Sequence, residues 1–226
     1  MIILFAVLGA IAIIYGPHLW AKHILDKYNQ KEYFSGNGVE LARLLLSKVE
    51  ISDVMVEMNT IGDHYNSERK IISLSEKNCG PRTLTAVVVA GHEVGHAIQD
   101  HLNYRPLKTR NRMIRRAVTL ERLGAGLILG VPILTAIVRV PAAGFLMLAG
   151  GFTTLCIPVL IHFLTLPTEF DASFNRALPL LSTGEYIPKE DILIARKILL
   201  ACALTYVANA LVGLLNVWRW LRVLRR

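Results

Sequence analysis

The stretch Ala90-Gly91-His92-Glu93-Val94-Gly95-His96-Ala97-Ile98-Gln99 holds two histidines four residues apart, with a glutamate directly after the first. On a helix, positions i and i+4 lie one turn apart on one face, so both imidazoles can reach a single cation. Glu93 is then placed to accept a proton from a water that the cation polarises. His-Glu-x-x-His on a helix is the spacing of zinc-dependent hydrolysis. The flanks are apolar, and buried imidazoles need partners that a metal can supply.

Two histidines do not complete a catalytic zinc site, which commonly has three protein ligands and an open position. The third donor should be a histidine or carboxylate held beside apolar structure. Glu169, in Glu169-Phe170-Asp171-Ala172-Ser173, fits best, and His162 is the alternative, seven residues earlier inside an apolar run. Asp171 is expected behind the ligands, accepting the free N–H of a ligand histidine. Asp63, His64 and His101 are weaker donors, and Asp100 reads as a helix-end carboxylate. A hydrogen-bond donor for a developing oxyanion is also expected. His64, Tyr65, Tyr104 and Arg176 carry suitable groups, and the sequence selects none of them.

Several elements must position these groups. Thr83 is a candidate N-cap for a helix from 84 to about 101, whose first half is apolar all round. Residues 39–49 carry apolar side chains at helical spacing. Residues 54–58 and 70–75 read as two strands of a small ribbon, with the polar segment 59–69 as the turn between them. The edge of such a ribbon could pair with an extended peptide over the metal.

Composition sets the wider frame. Of 226 residues, 53% are hydrophobic, and the mean hydropathy of +0.44 is high for a soluble chain. The excess gathers in runs that read as membrane spans at 3–20, 123–140, 142–166 and 198–217. No Lys or Arg precedes the first run and no small-x-small cleavage site follows it, so it reads as an uncleaved anchor. The middle pair reads as a helical hairpin turning near 139–141. The basic run Arg105, Lys108, Arg110, Arg112, Arg115 and Arg116 reads as a linker helix facing lipid headgroups. The last run leads into a basic, aromatic tail over 218–226.

The expected fold is therefore a mainly α membrane protein: a gluzincin-like catalytic domain with a small β-ribbon, the His-Glu-x-x-His helix and about four membrane-associated helices. It is organised as a single unit over 1–226, with an anchor helix (3–20), a catalytic core (22–117), a transmembrane hairpin (118–166), a third-ligand segment (167–197) and a C-terminal helix with its tail (198–226). Most Lys and Arg fall on the side holding the histidines, which favours a cytoplasmic catalytic face. The net charge of +8 comes without the basic-aromatic pattern of nucleic-acid binding, so no nucleic-acid partner is expected. Cys79, Cys156 and Cys202 lie far apart with no Cys-x-x-Cys pair, so the sequence supports neither a disulfide framework nor a cysteine metal site.

The chain as a whole resembles a known family. The N-terminal anchor, Asp63-His64-Tyr65, Ile72-Ser73-Leu74-Ser75, the His92 to Gln99 string and Leu166-Pro167-Thr168-Glu169-Phe170-Asp171-Ala172-Ser173 together look like the bacterial YugP-type neutral zinc metallopeptidases. The resemblance covers nearly the whole chain. It implies a membrane-bound zinc peptidase, with a Zn2+ cofactor, His92 and His96 as ligands and Glu93 as base. Together with the apolar runs, the expectation is a multi-pass protein of the bacterial plasma membrane that acts on a protein or peptide whose identity the resemblance does not give. A wider likeness is to gluzincins such as thermolysin, which carry a downstream Glu-x-x-x-Asp. Glu169 matches the Glu, while Ser173 stands where the Asp would be. The orienting role then falls to Asp171 or Ser173. A competing reading is a non-catalytic membrane assembly or chaperone-like protein with a retained metal site. Glu93 argues against it, because a structural site needs no base between its ligands.

Overall fold

The structure, a computed structural model, describes residues 2–30, 32, 34–138, 141–184 and 186–214. The expected hairpin turn at 139–141 falls largely outside them, and the tail at 218–226 entirely so. The chain divides into two compact units, the first made of Gly16–Lys108 and Leu166–Thr205 and the second of Met1–Tyr15, Thr109–Thr165 and Tyr206–Arg226.

The first unit carries all the groups singled out for chemistry except His162. Helix α2 (Gly38–Lys48) starts on a reciprocal cap: Asn37 Oδ1 accepts from the Glu40 amide at 2.9 Å, and Glu40 Oε2 accepts from the Asn37 amide at 3.1 Å. Its Leu41, Ala42, Leu45 and Leu46 face inward, as the helical spacing predicts. Strands β1 (Met55–Asn59), β2 (His64–Asn66) and β3 (Ile71–Ser75) form one sheet in the order β1-β3-β2. A short helix α3 (Glu76–Cys79) links the sheet to helix α4 (Leu84–His101), which carries the two histidines.

The sheet departs from the expected two-stranded ribbon. β1 and β3 are neighbours but run parallel, with Val56 opposite Ile72. The extra strand is β2, built from His64, Tyr65 and Asn66, and it pairs antiparallel with β3, Tyr65 opposite Ile72. Its polar composition reads as a turn, yet the turns lie on either side of it. Asn59 Oδ1 accepts from the amides of Ile61 and Gly62 before β2, and Gly62 sits at φ +128°, open only to glycine. After β2, Asn66 Oδ1 accepts from the amides of Glu68 and Arg69. β3 is thus the central strand, and Ile71, Ile72, Ser73 and Leu74 are all buried.

Helix α4 is the axis of the core. Thr83 caps it by accepting from the Ala86 amide at 3.2 Å, and the Thr83 hydroxyl donates to Asn29 Oδ1. The Thr85 amide donates to Tyr28 O at 3.3 Å, and the Thr85 hydroxyl donates to Leu25 O at 2.9 Å. The end of helix α1 (Ile2–Lys27) and the residues after it therefore hold the start of α4. Val87, Val88, Val89, Ala90, Val94 and Ala97 then pack with Leu45, Ile72, Leu74, Leu181, Ile198 and Leu199 in one apolar cluster. Burying each such Leu, Ile or Val contributes about 1.5–3 kcal/mol.

The membrane architecture is where expectation and structure part. Among the described residues, no helix is long and apolar enough to cross a membrane. Among the described residues, the apolar runs fall within longer helices. The run from 123 is the later part of α5 (Arg105–Val138), which begins in the basic run and carries Arg122. The run from 142 belongs to α6 (Pro141–Phe170), which continues without a break into buried Thr165, Thr168 and Glu169. The last run lies on α8 (Ile192–Leu214), whose Ala195, Ile198, Leu199, Ala201 and Cys202 are buried in the core of the first unit. In α1, Ala21 and Ile24, just past the run at 3–20, join the same core, while Phe5, Leu8, Ile11, Ile13 and Leu19 within the run are exposed. Hydropathy alone does not separate a protein core from a bilayer. The membrane part of the expected fold, with its four membrane-associated helices, is therefore not supported among the described residues.

Within the second unit, α5 and α6 approach closely at two glycines. A Cβ on Gly124 would meet Gly151 O at 2.9 Å, and one on Gly151 would meet Gly124 O at 3.0 Å. His162 stacks on the Tyr206 ring, with centroids 5.9 Å apart, and the Arg110 guanidinium lies 4.9 Å from the centre of that ring.

Candidate metal centre

The two histidines face a carboxylate delivered by the end of α6. Ligand atoms of His92, His96 and Glu169 all lie within 4.8 Å of one another. Glu169 Oε2 is 3.0 Å from His96 Nε2 and 3.5 Å from His92 Nε2. All three residues are at most 3% exposed. The approach that allows this is set by glycine. A Cβ on Gly95 would run into the carbonyl of Ala172, and one on Gly91 would meet Leu181 Cδ1 at 2.8 Å. Each glycine directly precedes a histidine, so the bare side of α4 seats against the segment after Glu169. That segment, Asp171–Ala177, is π-helical, an uncommon geometry often found at functional sites. Helix α7 (Leu178–Thr183) follows it.

The Nδ1 atom of each imidazole has its own partner. His92 Nδ1 lies 3.0 Å from Ser173 Oγ, and the Ser173 hydroxyl is 3.2 Å from Leu199 O on α8. The serine donates to that carbonyl and so accepts from the imidazole. His96 Nδ1 lies 3.0 Å from Gln99 Oε1. Gln99 Nε2 donates to Thr168 O at 2.9 Å and to Asp171 Oδ2 at 2.8 Å. With protons on both Nδ1 atoms, both Nε2 atoms present lone pairs to one point. Two imidazole nitrogens and a carboxylate oxygen, buried together, suit a zinc-type cation. They also account for a carboxylate withdrawn from water.

The remaining expected residues are distributed as follows. Glu93 is buried on α4 between the two histidines. Ser173 contacts His92, whereas Asp171 meets Gln99 rather than a ligand histidine. Burial alone would raise the Asp171 carboxyl, but Gln99, Asn175 and Arg176 outweigh it and hold the group below its usual range. Arg176 is thereby paired with Asp171 at 3.3 Å. The Tyr65 hydroxyl donates to Asp100 Oδ2 at 2.9 Å, and burial first, then this bond, push its phenol above the usual range. Asp100 also takes Lys70 Nζ at 2.6 Å. His64 Nδ1 lies 3.0 Å from Gly62 O. Asp63 is occupied by the Ser75 amide and by Asn78 Nδ2, both at 2.7 Å. His162, the alternative third donor, lies in the second unit and outside the cluster.

Gln99 and the Leu199 carbonyl were not among the expected groups. Gln99 stands three residues after His96 on the same helix face, and that spacing was the available signal. Cys202, on α8, also borders the site. Burial pushes its thiol well up, and the charges of Glu93, Asp63 and Glu169 add to the effect.

A family model described as "Putative neutral zinc metallopeptidase" matches residues 2–225. The chain is 33% identical over 227 residues to a Bacillus subtilis (strain 168) protein named "Putative membrane protease YugP", covering 99% of this chain and 96% of that protein. No solved structure matches the chain significantly. With the family match running through the His92, His96 and Glu169 cluster and almost from end to end, the chain belongs to the neutral zinc metallopeptidase family.

Proposed function

We propose that the protein is a zinc-dependent endopeptidase acting on protein or peptide substrates, with His92, His96 and Glu169 as metal ligands and Glu93 as general base. The observation that carries this reading is the buried convergence of His92, His96 and Glu169 within 4.8 Å. A bound zinc ion supplies Lewis acidity, which polarises a scissile carbonyl and lowers the pKa of water. Glu93 accepts the proton of the attacking water and passes it to the leaving amine. Ser173 holds the His92 ring through its Nδ1. His64, on the edge strand β2, is the substrate-facing candidate, because an extended peptide can add to a sheet edge there. Tyr65 is held by Asp100 and serves to fix that strand against α4.

The test compares purified wild type with Glu93→Gln, by metal analysis and by digestion of a peptide library. Both proteins are expected to bind zinc, and the variant to lose roughly 10²–10⁴-fold in cleavage. Cleavage at the wild-type rate by Glu93→Gln would remove Glu93 from the mechanism. A wild type that takes up no zinc would remove the metal site.

A further inference from the structure

Gln99 is fully buried, with 0% of its surface exposed, and it sits where two elements of the site meet. Its amide has one orientation that satisfies its surroundings. Thr168 O and the Asp171 carboxylate are both acceptors, at 2.9 and 2.8 Å, so the nitrogen of the amide must face them. The amide oxygen then points at His96 Nδ1, 3.0 Å away, and can only accept. That places the proton on Nδ1 and leaves Nε2 to face Glu169 Oε2 at 3.0 Å. Thr168 directly precedes Glu169, so the same amide grips the backbone that delivers the third donor. Asp171 is itself fixed from the other side by Asn175 Nδ2 at 2.9 Å and Arg176 Nε at 3.3 Å.

We propose that Gln99 is a positioning residue for zinc: it locks His96 with its proton on Nδ1 and ties that ring to the Thr168–Asp171 backbone carrying Glu169. The inference rests on the zinc reading above and extends it to a residue that touches neither metal nor substrate. One buried side chain sets both the ring and its distance to the carboxylate. A residue without an amide at position 99 removes the acceptor at His96 Nδ1 and the side-chain donor to Thr168 O.

Two measurements test this in the full-length protein. The first is the ¹⁵N and ¹H resonances of His96 in wild type, zinc-free and zinc-loaded. A slowly exchanging Nδ1–H is expected in both states; an unprotonated Nδ1 in either overturns the proposal. The second is zinc affinity, by competition with a chelator, alongside the melting temperature of the zinc-free protein. Gln99→Met is expected to weaken zinc binding roughly 10–100-fold, as loss of such a supporting bond typically does. Gln99→Glu keeps an acceptor for His96 but sets a carboxylate oxygen against Thr168 O and the Asp171 carboxylate, and is also expected to weaken zinc binding. Wild-type affinity in Gln99→Met overturns the proposal. A wild type that binds no zinc would sink the metal-site reading, while the His96 resonance would still decide what Gln99 does.

Discussion

The two halves of helix α4 are buried by different means. The first half, through Ala90, lies in the apolar cluster with side chains of α2 and β3, and its start is held by caps and by the end of α1. The second half is enclosed by backbone and by polar groups: the Ala172 peptide against Gly95, Ser173 on His92, and Gln99 between His96 and the Asp171 region. Apolar side chains can change rotamer or slide when a neighbour changes. A carbonyl in a packed helix and a fully used hydrogen-bond set cannot. The half that carries the two histidines is therefore the half with the least tolerance.

Gly91, just past the apolar half and packed on an apolar side chain, and Gly95, packed on backbone, give the largest expected effect. Gly95→Ala drives a methyl into the Ala172 carbonyl, which can yield only if the π-helical segment shifts, and Glu169 with it. A loss of about 1–3 kcal/mol or more is expected, with weakened zinc binding. Gly91→Ala meets only the Leu181 side chain, whose end can rotate away, so it should cost less and leave zinc uptake intact. Thermal melts and zinc titrations of the two variants check this. Equal behaviour would erase the distinction between side-chain and backbone packing.

Ser173→Ala is expected to come next. It removes one oxygen, so the packing should survive, but His92 Nδ1 loses its acceptor and Leu199 O loses the serine hydroxyl. Zinc affinity should drop roughly 10–100-fold while the zinc-free melting temperature moves little. If affinity does not change, the serine is packing material and His92 is oriented by α4 alone.

The same divide governs what was legible in the sequence. Helix α4 could be read from Thr83 and the apolar run after it, since a cap and a buried face are local signals. His92, Glu93 and His96 follow from spacing on one helix. Glu169 was reachable because it stands at the end of an apolar run and in a string that resembles a family. The link from Ser173 to Leu199 was not legible, because it ends on a backbone carbonyl 26 residues away, and a carbonyl leaves no mark in a sequence. Strand β2 was hidden by its polar residues, since its place beside β3 comes from the turns around it. The run on α8 was misread because a helix buried in protein and a helix buried in lipid have the same composition. Ile198, Leu199 and Cys202 are apolar for the first reason.

The smallest expected effect lies at the C-terminal end of α4, where Asp100 joins the helix to the sheet. Its carboxylate takes both the Tyr65 hydroxyl and Lys70 Nζ. The hydrogen bond to Asp100 is the main cause holding the Lys70 ammonium above its usual range. The Tyr65 phenol is raised by burial and then by the same carboxylate. Both groups therefore have higher pKa values folded than unfolded. Their contribution is fully present below the unfolded values, near pH 10, and is lost as pH rises beyond them. Lys70 is partly exposed, so solvent screening limits its ion pair to about 1 kcal/mol or less. Asp100→Asn should lower stability by a constant amount through neutral pH, and the gap to wild type should close above about pH 10. Denaturant unfolding at a series of pH values measures this. A gap that stays constant into strong alkali would mean that Asp100 holds the sheet to α4 by shape rather than by charge. The polar end of the helix would then be as forgiving as its apolar start.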